Sequence, residues 1–166
     1  MNTLDNLTTA FQDEIPNYRS SDFSISSVSV PRHRIRVSRS RSDWARDLEE
    51  RFNELTSLPR GWDGYRGRPV SFGCAQFAAN LVESLFVRGV PAPQLVPGAD
   101  GTLQLEWHLN QYDIEVDVLA PYNVVATRYD HATELEQEIE VESDFTELAS
   151  WVLALEPVRH QERLEV

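Results

Sequence analysis

The chain has 166 residues, of which 41% are hydrophobic and 25% charged, and its formal net charge is −12. This length accommodates one domain with a core plus an appendage, and it excludes two domains of ordinary size. The single cysteine, Cys74, excludes an internal disulfide and is typical of a reducing compartment. No apolar run is long enough to cross a membrane and no leader-like segment opens the sequence, so we expect a cytoplasmic protein.

Charge is divided unequally along the chain. Residues 1–42 hold six arginines and four acidic residues, a balance of +2, whereas residues 43–166 hold nine arginines and 23 acidic residues, a balance of −14. The acidic part repels nucleic-acid phosphate and attracts basic proteins. We therefore expect no contact with a membrane, and no direct binding of nucleic acid except through the arginine-rich N-terminal segment.

Residues 1–42 are predicted to form a flexible extension or arm, because this segment is rich in serine and offers little apolar surface for burial. Its most basic stretch, RHRIRVSRSR, includes Arg32, Arg34 and Arg36. These arginines are predicted to contact phosphate or an acidic protein surface. Two alternatives remain open: the stretch lies on the chain's own acidic sheet as an edge strand, or it stays solvated.

Residues 43–157 are predicted to form a single α+β domain that begins with two helices. Apolar residues at helical spacing predict the first helix, with Ser42 as its N-cap: Trp44, Leu48, Phe52 and Leu55. The second helix is predicted from Phe72 to about Val87, with Ser71 as its N-cap and Gly89 after its end.

The loop between these helices, residues 58–71, contains three glycines and two prolines, which preclude a helix or a long strand. It also contains Trp62 and Tyr65, and such rings are typical of an ordered loop. Asp63 is predicted to accept backbone N–H groups within the loop. The two rings are interpreted either as anchors beneath the edge of the sheet or as a platform for a ligand.

The main structural prediction is an antiparallel β-meander of three to five strands, with about three helices packed on one face. Alternation of apolar and polar residues in 103–109 and 112–118 predicts a hairpin with one buried and one exposed face. Further strands are predicted at 94–97, 124–129 and 134–142. A third helix is predicted after residue 144, and residues 158–166 are predicted to be a tail.

The exposed face of the sheet is predicted to be acidic. One strand contributes Asp113, Glu115 and Asp117, and another contributes Glu134, Glu136, Glu138, Glu140 and Glu142. Like charges opposed on neighbouring strands cost roughly 0.2–1 kcal/mol per pair. The face is therefore either a solvated surface that keeps the protein soluble or a surface that binds a positively charged counterpart. Three counterparts are open: the arginine-rich arm, a basic protein and, less favoured, a divalent metal. Alternating glutamates do not form a calcium cage.

Several motifs between residues 55 and 155 resemble those of a widespread group of small uncharacterised bacterial proteins. The loop reads GWDGY and is followed by PVS, by Pro97 with Asp100 and Gly101, by LQLEWH and by IEV. In the group's pattern a glycine directly follows GWDGY, whereas Arg66 intervenes here, and residues 98–99 depart from its proline-rich turn. The resemblance implies a shared fold and brings no established activity and no catalytic residues.

Two classes of function remain open. The favoured one is a non-enzymatic interaction module whose acidic face binds a basic partner, such as a toxin or nucleic-acid-binding protein encoded nearby, in the manner of an antitoxin, immunity protein or phage-related inhibitor. The alternative is a small enzyme or ligand-binding protein with a pocket at the GWDGY loop, Trp107 and His108. The oligomeric state is left open.

The case for an enzyme depends on a few titratable residues. Adjacent strands are expected to place His108 near Asp113 or Glu115, which suits acid–base chemistry or a metal site and is also typical of a surface ion pair. His131 is a further candidate. No metal-binding, phosphate-binding or nucleophile motif accompanies these residues, so we predict no catalytic residue, no metal and no cofactor.

Overall fold

The computed structural model describes residues 34–37 and 44–157, which form a layer of helices over a five-stranded sheet. The helices are α1 (Ala45–Thr56), α2 (Phe72–Ser84) and α3 (Thr146–Leu153). The strands are β1 (Gln94–Pro97), β2 (Leu103–Leu109), β3 (Tyr112–Ala120), β4 (Asn123–Asp130) and β5 (Leu135–Val141). Neighbouring strands are antiparallel and follow one another in chain order, which confirms the predicted α+β meander.

Alternation along the strands gives the sheet an inner face, covered by the helices, and an outer face. One inner row runs across all five strands and consists of Leu95, Leu105, Val116, Ala126 and Ile139. The first four of these side chains are buried and the last is partly buried. Because side chains alternate with a period of two, the polar residues between these positions point to the outer face.

Each helix adds an apolar stripe to the layer over the inner face. The hydroxyl of Ser71 accepts a hydrogen bond from the backbone N–H of Cys74 at 3.1 Å, which confirms the predicted N-cap of α2. On α3, Trp151 is buried and its ring centroid lies 5.1 Å from the guanidinium carbon of Arg128 on β4. Within the described ranges, no helix has both the length and the apolar character needed to cross a bilayer.

Four residues of the predicted extension pack against α1. Ile35 and Val37 are buried, whereas Arg34 and Arg36 are exposed. The backbone N–H and carbonyl of Ile35 form hydrogen bonds of 3.0 Å with the side-chain amide of Asn53. Residues 34–37 therefore belong to the packed domain and lie beside the helix layer, not on the outer face of the sheet.

Other predictions for the chain ends fall on residues that the structure does not describe. They comprise the extension over 1–33 and 38–42, which includes Arg32 and the predicted cap Ser42, and the tail at 158–166.

Candidate functional site

The outer face of the sheet concentrates carboxylates. Seven of its outward positions are acidic, and we call this set the acidic face: Glu106, Asp113, Glu115, Asp117, Glu136, Glu138 and Glu140. None of the outward positions of the five strands holds an arginine, because Arg128 pairs with Ile114 and so shares the inner face. The acidic face therefore carries negative charge with no compensating arginine on the same face of the sheet.

The two acidic strands, whose carboxylates were expected to oppose one another at cross-strand distance, are separated by β4. Its outward residues Val125, Thr127 and Tyr129 are half-buried and uncharged, and we call them the neutral strip. Thr127, for example, lies between Glu115 and Glu138. Adjacent strands are about 4.8 Å apart, so the two acidic rows are about 10 Å apart. The expected direct opposition of their carboxylates is therefore wrong, because the strand order inserts a neutral row.

Only three of the five glutamates predicted for the last strand lie on this face. Glu134 precedes β5 in a turn with a φ of 56°, and Glu142 follows the end of the strand. The three within β5 are exposed and form no hydrogen bond or ion pair within the described part of the chain: Glu136, Glu138 and Glu140. Their charge is therefore available to a partner.

The carboxylates on β2 and β3 lie closer together, because these two strands are neighbours in the sheet. Glu106 lies directly opposite Glu115, and the amide of Gln104 donates a hydrogen bond to Glu115 at 3.1 Å. The pKa of Asp117 is raised, because burial disfavours the charged carboxylate and repulsion from Glu106 adds to the effect. A cation placed beside Asp117 would favour its ionised form.

Two histidines bracket Asp113 at one end of the acidic face. His108 Nδ1 lies 2.9 Å from one oxygen of Asp113, and His131 Nε2 lies 2.7 Å from the other. His108 Nε2 also faces a carboxylate oxygen of Glu106 at 3.4 Å. Hydrogen bonds to Asp113 and then to Glu106 raise the pKa of His108, and the hydrogen bond from His108 is the main cause that lowers the pKa of Asp113.

This cluster has the character of a surface ion pair. The expected pairing of His108 with Asp113 is confirmed by the register of β2 and β3. Among the residues that the structure describes, no group of three or more His, Cys, Asp or Glu side chains is arranged to hold a metal ion. The most direct physical consequence of this histidine–aspartate cluster is that the stability of the protein depends on pH.

Replacing His108 by glutamine is expected to lower the free energy of unfolding more at about pH 5.5 than at about pH 8.5. The pKa of His108 is raised above 6.5, so the stabilisation by the charged imidazole is complete below that value and is lost as the pH rises through the folded pKa. The pKa of Asp113 is lowered below 3.8, so its charge persists at the acidic condition. The His108 side chain is 46% exposed, and solvent screening limits the difference to less than about 1 kcal/mol.

Urea unfolding at both pH values measures this effect. In a protein that already carries Asp113→Asn, the main hydrogen-bond partner of His108 is neutral. The further loss of stability caused by His108→Gln is therefore expected to depend much less on pH. A destabilisation by His108→Gln that is the same at both pH values would contradict the charge pairing.

The GWDGY loop is ordered by hydrogen bonds to its own backbone. One oxygen of Asp63 accepts the backbone N–H groups of Tyr65 and Gly67, each at 2.9 Å, as predicted for this aspartate. These two bonds lower the pKa of Asp63. The indole N–H of Trp62 donates to the carbonyl of Arg68 at 2.9 Å, so this side chain links two parts of the loop to each other.

The loop docks on the turn that leads into β2. The backbone N–H of Arg68 donates to the carbonyl of Ala99, and that of Ser71 donates to the carbonyl of Gly101, both at 2.9 Å. Gly101 has a φ of 92°, and a side chain there would meet the carbonyl of Pro69 at 3.2 Å. This contact explains why a glycine occupies the turn.

The residues predicted to share a pocket are not brought together. The loop contacts the start of β2, whereas His108 lies near the other end of this strand, about 20 Å away at 3.3 Å per residue. Trp107 points to the inner face, is 4% exposed, and donates its indole N–H to the carbonyl of Pro91 at 3.1 Å. Trp107 is therefore a core residue, because its strand phase matches that of Leu105 and not that of His108.

Two surface grooves lie outside the acidic rows. One, of about 630 Å³, runs between α1 and β1 and is bordered by Trp44, Leu48 and residues 92–97. The other, of about 600 Å³, lies beside the GWDGY loop and is lined by Asp63, Tyr65, Arg66, Gly67, Arg68, Ala99 and Asp100. Neither groove is lined by His108 or Trp107.

Two features beside the acidic face escaped the sequence prediction, the neutral strip and the position of His131. The neutral strip was expected only as part of a strand, although the phase of Val124 and Ala126 already implies that Val125 and Thr127 point the other way. The position of His131 had no such signal, because it lies in the turn after β4 and reaches Asp113 only when β3 and β4 pair.

Comparisons with known proteins supply no further guide to the site. No protein-family model, no curated protein and no solved structure matches the chain. The geometry and charge of the described residues are therefore the basis for a proposed function.

Proposed function

We propose that the protein is a non-enzymatic interaction module that binds a basic protein on its acidic face. The observation that supports this function is the concentration of seven carboxylates, without any arginine, on the outward positions of one sheet. Solubility alone does not require such crowding, and the directly opposed pair of Glu106 and Glu115 is unfavourable. A cationic partner would offset this repulsion.

The neutral strip suits a basic segment that lies along β4. The aliphatic parts of arginine side chains would pack on Val125 and Tyr129, and their guanidinium groups would reach carboxylates about 5 Å to either side. Arginine is better suited than lysine to paired carboxylates because its planar guanidinium forms two parallel hydrogen bonds. A toxin or a nucleic-acid-binding protein carries such segments, and the module would then cover its phosphate-binding surface.

Long-range electrostatics would assist this association. A net charge of −12 accelerates encounter with a basic protein, and the acceleration decreases as salt is added. The proposed setting is the cytoplasm, where the partner would be the product of a neighbouring gene. The alternative of an enzyme pocket shared by the loop and His108 is less well supported, because the two lie near opposite ends of β2.

Neutralising β5 is expected to weaken the complex. The triple change Glu136→Gln, Glu138→Gln and Glu140→Gln should reduce the affinity for the basic product of the adjacent gene by about tenfold at an ionic strength of about 50 mM, because exposed charge pairs contribute about 0.2–1 kcal/mol each. The measurement is calorimetric titration of the purified partner, repeated as the salt concentration is raised.

A matched control removes three negative charges that lie outside the acidic face, two on helices and one after the last helix. Glu50, Glu147 and Glu156 are exposed, and their replacement by glutamine should leave the affinity within about twofold of the wild type. Equal losses in both triple variants would mean that only the net charge matters. Absence of binding, or binding that does not weaken with salt, would refute the proposed acidic interface.

A further inference from the structure

The GWDGY loop holds one aromatic ring in solvent although its backbone is firmly fixed. The side chain of Tyr65 is 88% exposed, while its backbone N–H is bound by Asp63 at 2.9 Å. A tyrosine ring stabilises a fold chiefly through the apolar surface that it buries, and this one buries almost none. The ring is therefore accessible to a ligand.

Tyr65 borders the groove of about 600 Å³, which is shallow and open to solvent. Arg66 and Arg68 line the same groove and are exposed. Two arginines and one exposed aromatic ring therefore line the same groove. They favour a ligand that combines an anion with a flat ring.

The groove also presents hydrogen-bond acceptors. Asp63 and Asp100 both line it, and in each case a single carboxylate oxygen makes the hydrogen bonds to the loop or turn. Hydrogen bonds from the backbone of Tyr65, and from the hydroxyl of Thr102, are the main causes that lower the pKa of Asp63 and of Asp100, respectively. The second oxygens are therefore charged acceptors for N–H or O–H groups of a ligand.

The groove is formed before any ligand arrives. Gly67 lines it, and a Cβ atom at this residue would be 2.8 Å from an oxygen of Asp63 and 2.9 Å from the indole nitrogen of Trp62. Asp63 and Trp62 pack closely around this glycine. Asp63 accepts a hydrogen bond from the backbone of Tyr65, and Trp62 donates one to the backbone of Arg68, so the backbone is fixed at both residues. A ligand would therefore bind without the entropic cost of ordering the loop.

We propose that this groove binds a mononucleotide, with its base stacked on Tyr65 and its phosphate held by Arg66 and Arg68. Aromatic rings stack on bases, and guanidinium groups bind phosphate oxygens through paired hydrogen bonds. The second oxygens of Asp63 and Asp100 accept from amino or ribose hydroxyl groups. The net charge of −12 repels a long polyanion more strongly than a single phosphate group, so a free nucleotide fits better than a nucleic-acid strand.

Titration of the full chain with AMP, monitored by NMR and calorimetry, tests this site independently of the acidic face. AMP is expected to bind more tightly than either inorganic phosphate or adenosine. Tyr65→Ala should weaken AMP about tenfold, within the range measured for the loss of base stacking, whereas Tyr65→Phe should retain the affinity. The double change Arg66→Ala and Arg68→Ala should weaken AMP and leave adenosine unaffected, and Arg88→Ala, an exposed arginine outside the groove, is the control.

Three outcomes would overturn the proposal. The first is no binding of AMP at millimolar concentration. The second is equal binding of phosphate and AMP with no effect of Tyr65→Ala, which would indicate a simple anion site. The third is tighter binding of a short single-stranded oligonucleotide than of AMP, which would assign the groove to nucleic acid. All substituted side chains are exposed, and circular dichroism of each variant verifies that the fold is intact.

Discussion

Replacing Ile35 by alanine is expected to lower the free energy of unfolding by about 2–4 kcal/mol. This side chain is fully buried, and its backbone is bound to the side chain of Asn53 on α1. The lost contacts leave a cavity between residues 34–37 and the helix layer, and the surrounding side chains fill such a cavity only in part. Urea unfolding monitored by tryptophan fluorescence measures the loss.

The neighbouring arginines provide a matched control. Arg34→Ala and Arg36→Ala remove longer side chains from the same segment, but both are exposed and should change the stability by no more than about 0.5 kcal/mol. A loss for Ile35→Ala as small as those for the arginines would mean that the segment belongs to the extension and not to the packed domain.

Trp107→Ala is expected to have a larger effect, about 3–5 kcal/mol. The indole is 4% exposed between the inner face and the helix layer, and its N–H group is bound to the carbonyl of Pro91. Removal of the ring leaves both a large cavity and an unsatisfied carbonyl. Thermal or urea unfolding of the purified variant gives the magnitude.

Two comparisons distinguish a core tryptophan from a ligand-binding one. Trp107→Phe keeps an aromatic ring and loses the hydrogen bond, so a smaller loss of about 1–2 kcal/mol is expected. Trp62→Ala in the half-buried loop position should also cost less than Trp107→Ala. A Trp107→Ala protein with wild-type stability would contradict the core assignment and restore the possibility of a binding pocket at this residue.

The buried inner face explains how the sheet tolerates its acidic outer face. Each opposed like-charge pair costs roughly 0.2–1 kcal/mol, whereas burial of one leucine or valine contributes about 1.5–3 kcal/mol. The acidic face has a directly opposed pair in Glu106 and Glu115, while the neutral strip separates the rows on β3 and β5. The charge of the acidic face therefore lowers the stability of the fold only modestly.

The acidic face and the loop groove use different parts of the chain. The acidic face is built from residues of β2, β3 and β5, whereas the groove is built from the loop before α2 and the turn before β2. The variants proposed for one site leave the residues of the other unchanged. The two proposed binding sites can therefore be tested separately.

Local pattern was sufficient to predict most elements of the fold. Alternation predicted the hairpin of β2 and β3, and it correctly favoured a strand at β5 even though glutamate has a low strand propensity. The cap at Ser71 and the acceptor role of Asp63 were also readable, since each depends on residues within four positions in the chain. These features are determined by backbone periodicity and short-range hydrogen bonds, which any segment carries in its own sequence.

Only the tertiary structure decided how these elements meet. The contact of His131 with Asp113 and the burial of Ile35 against α1 both join segments that are distant in the chain. The separation of the GWDGY loop from His108 likewise depends on where the loop docks along β2. The physical reason is that periodicity states which face of a strand is buried, whereas strand order and docking depend on the burial that the whole chain can achieve together.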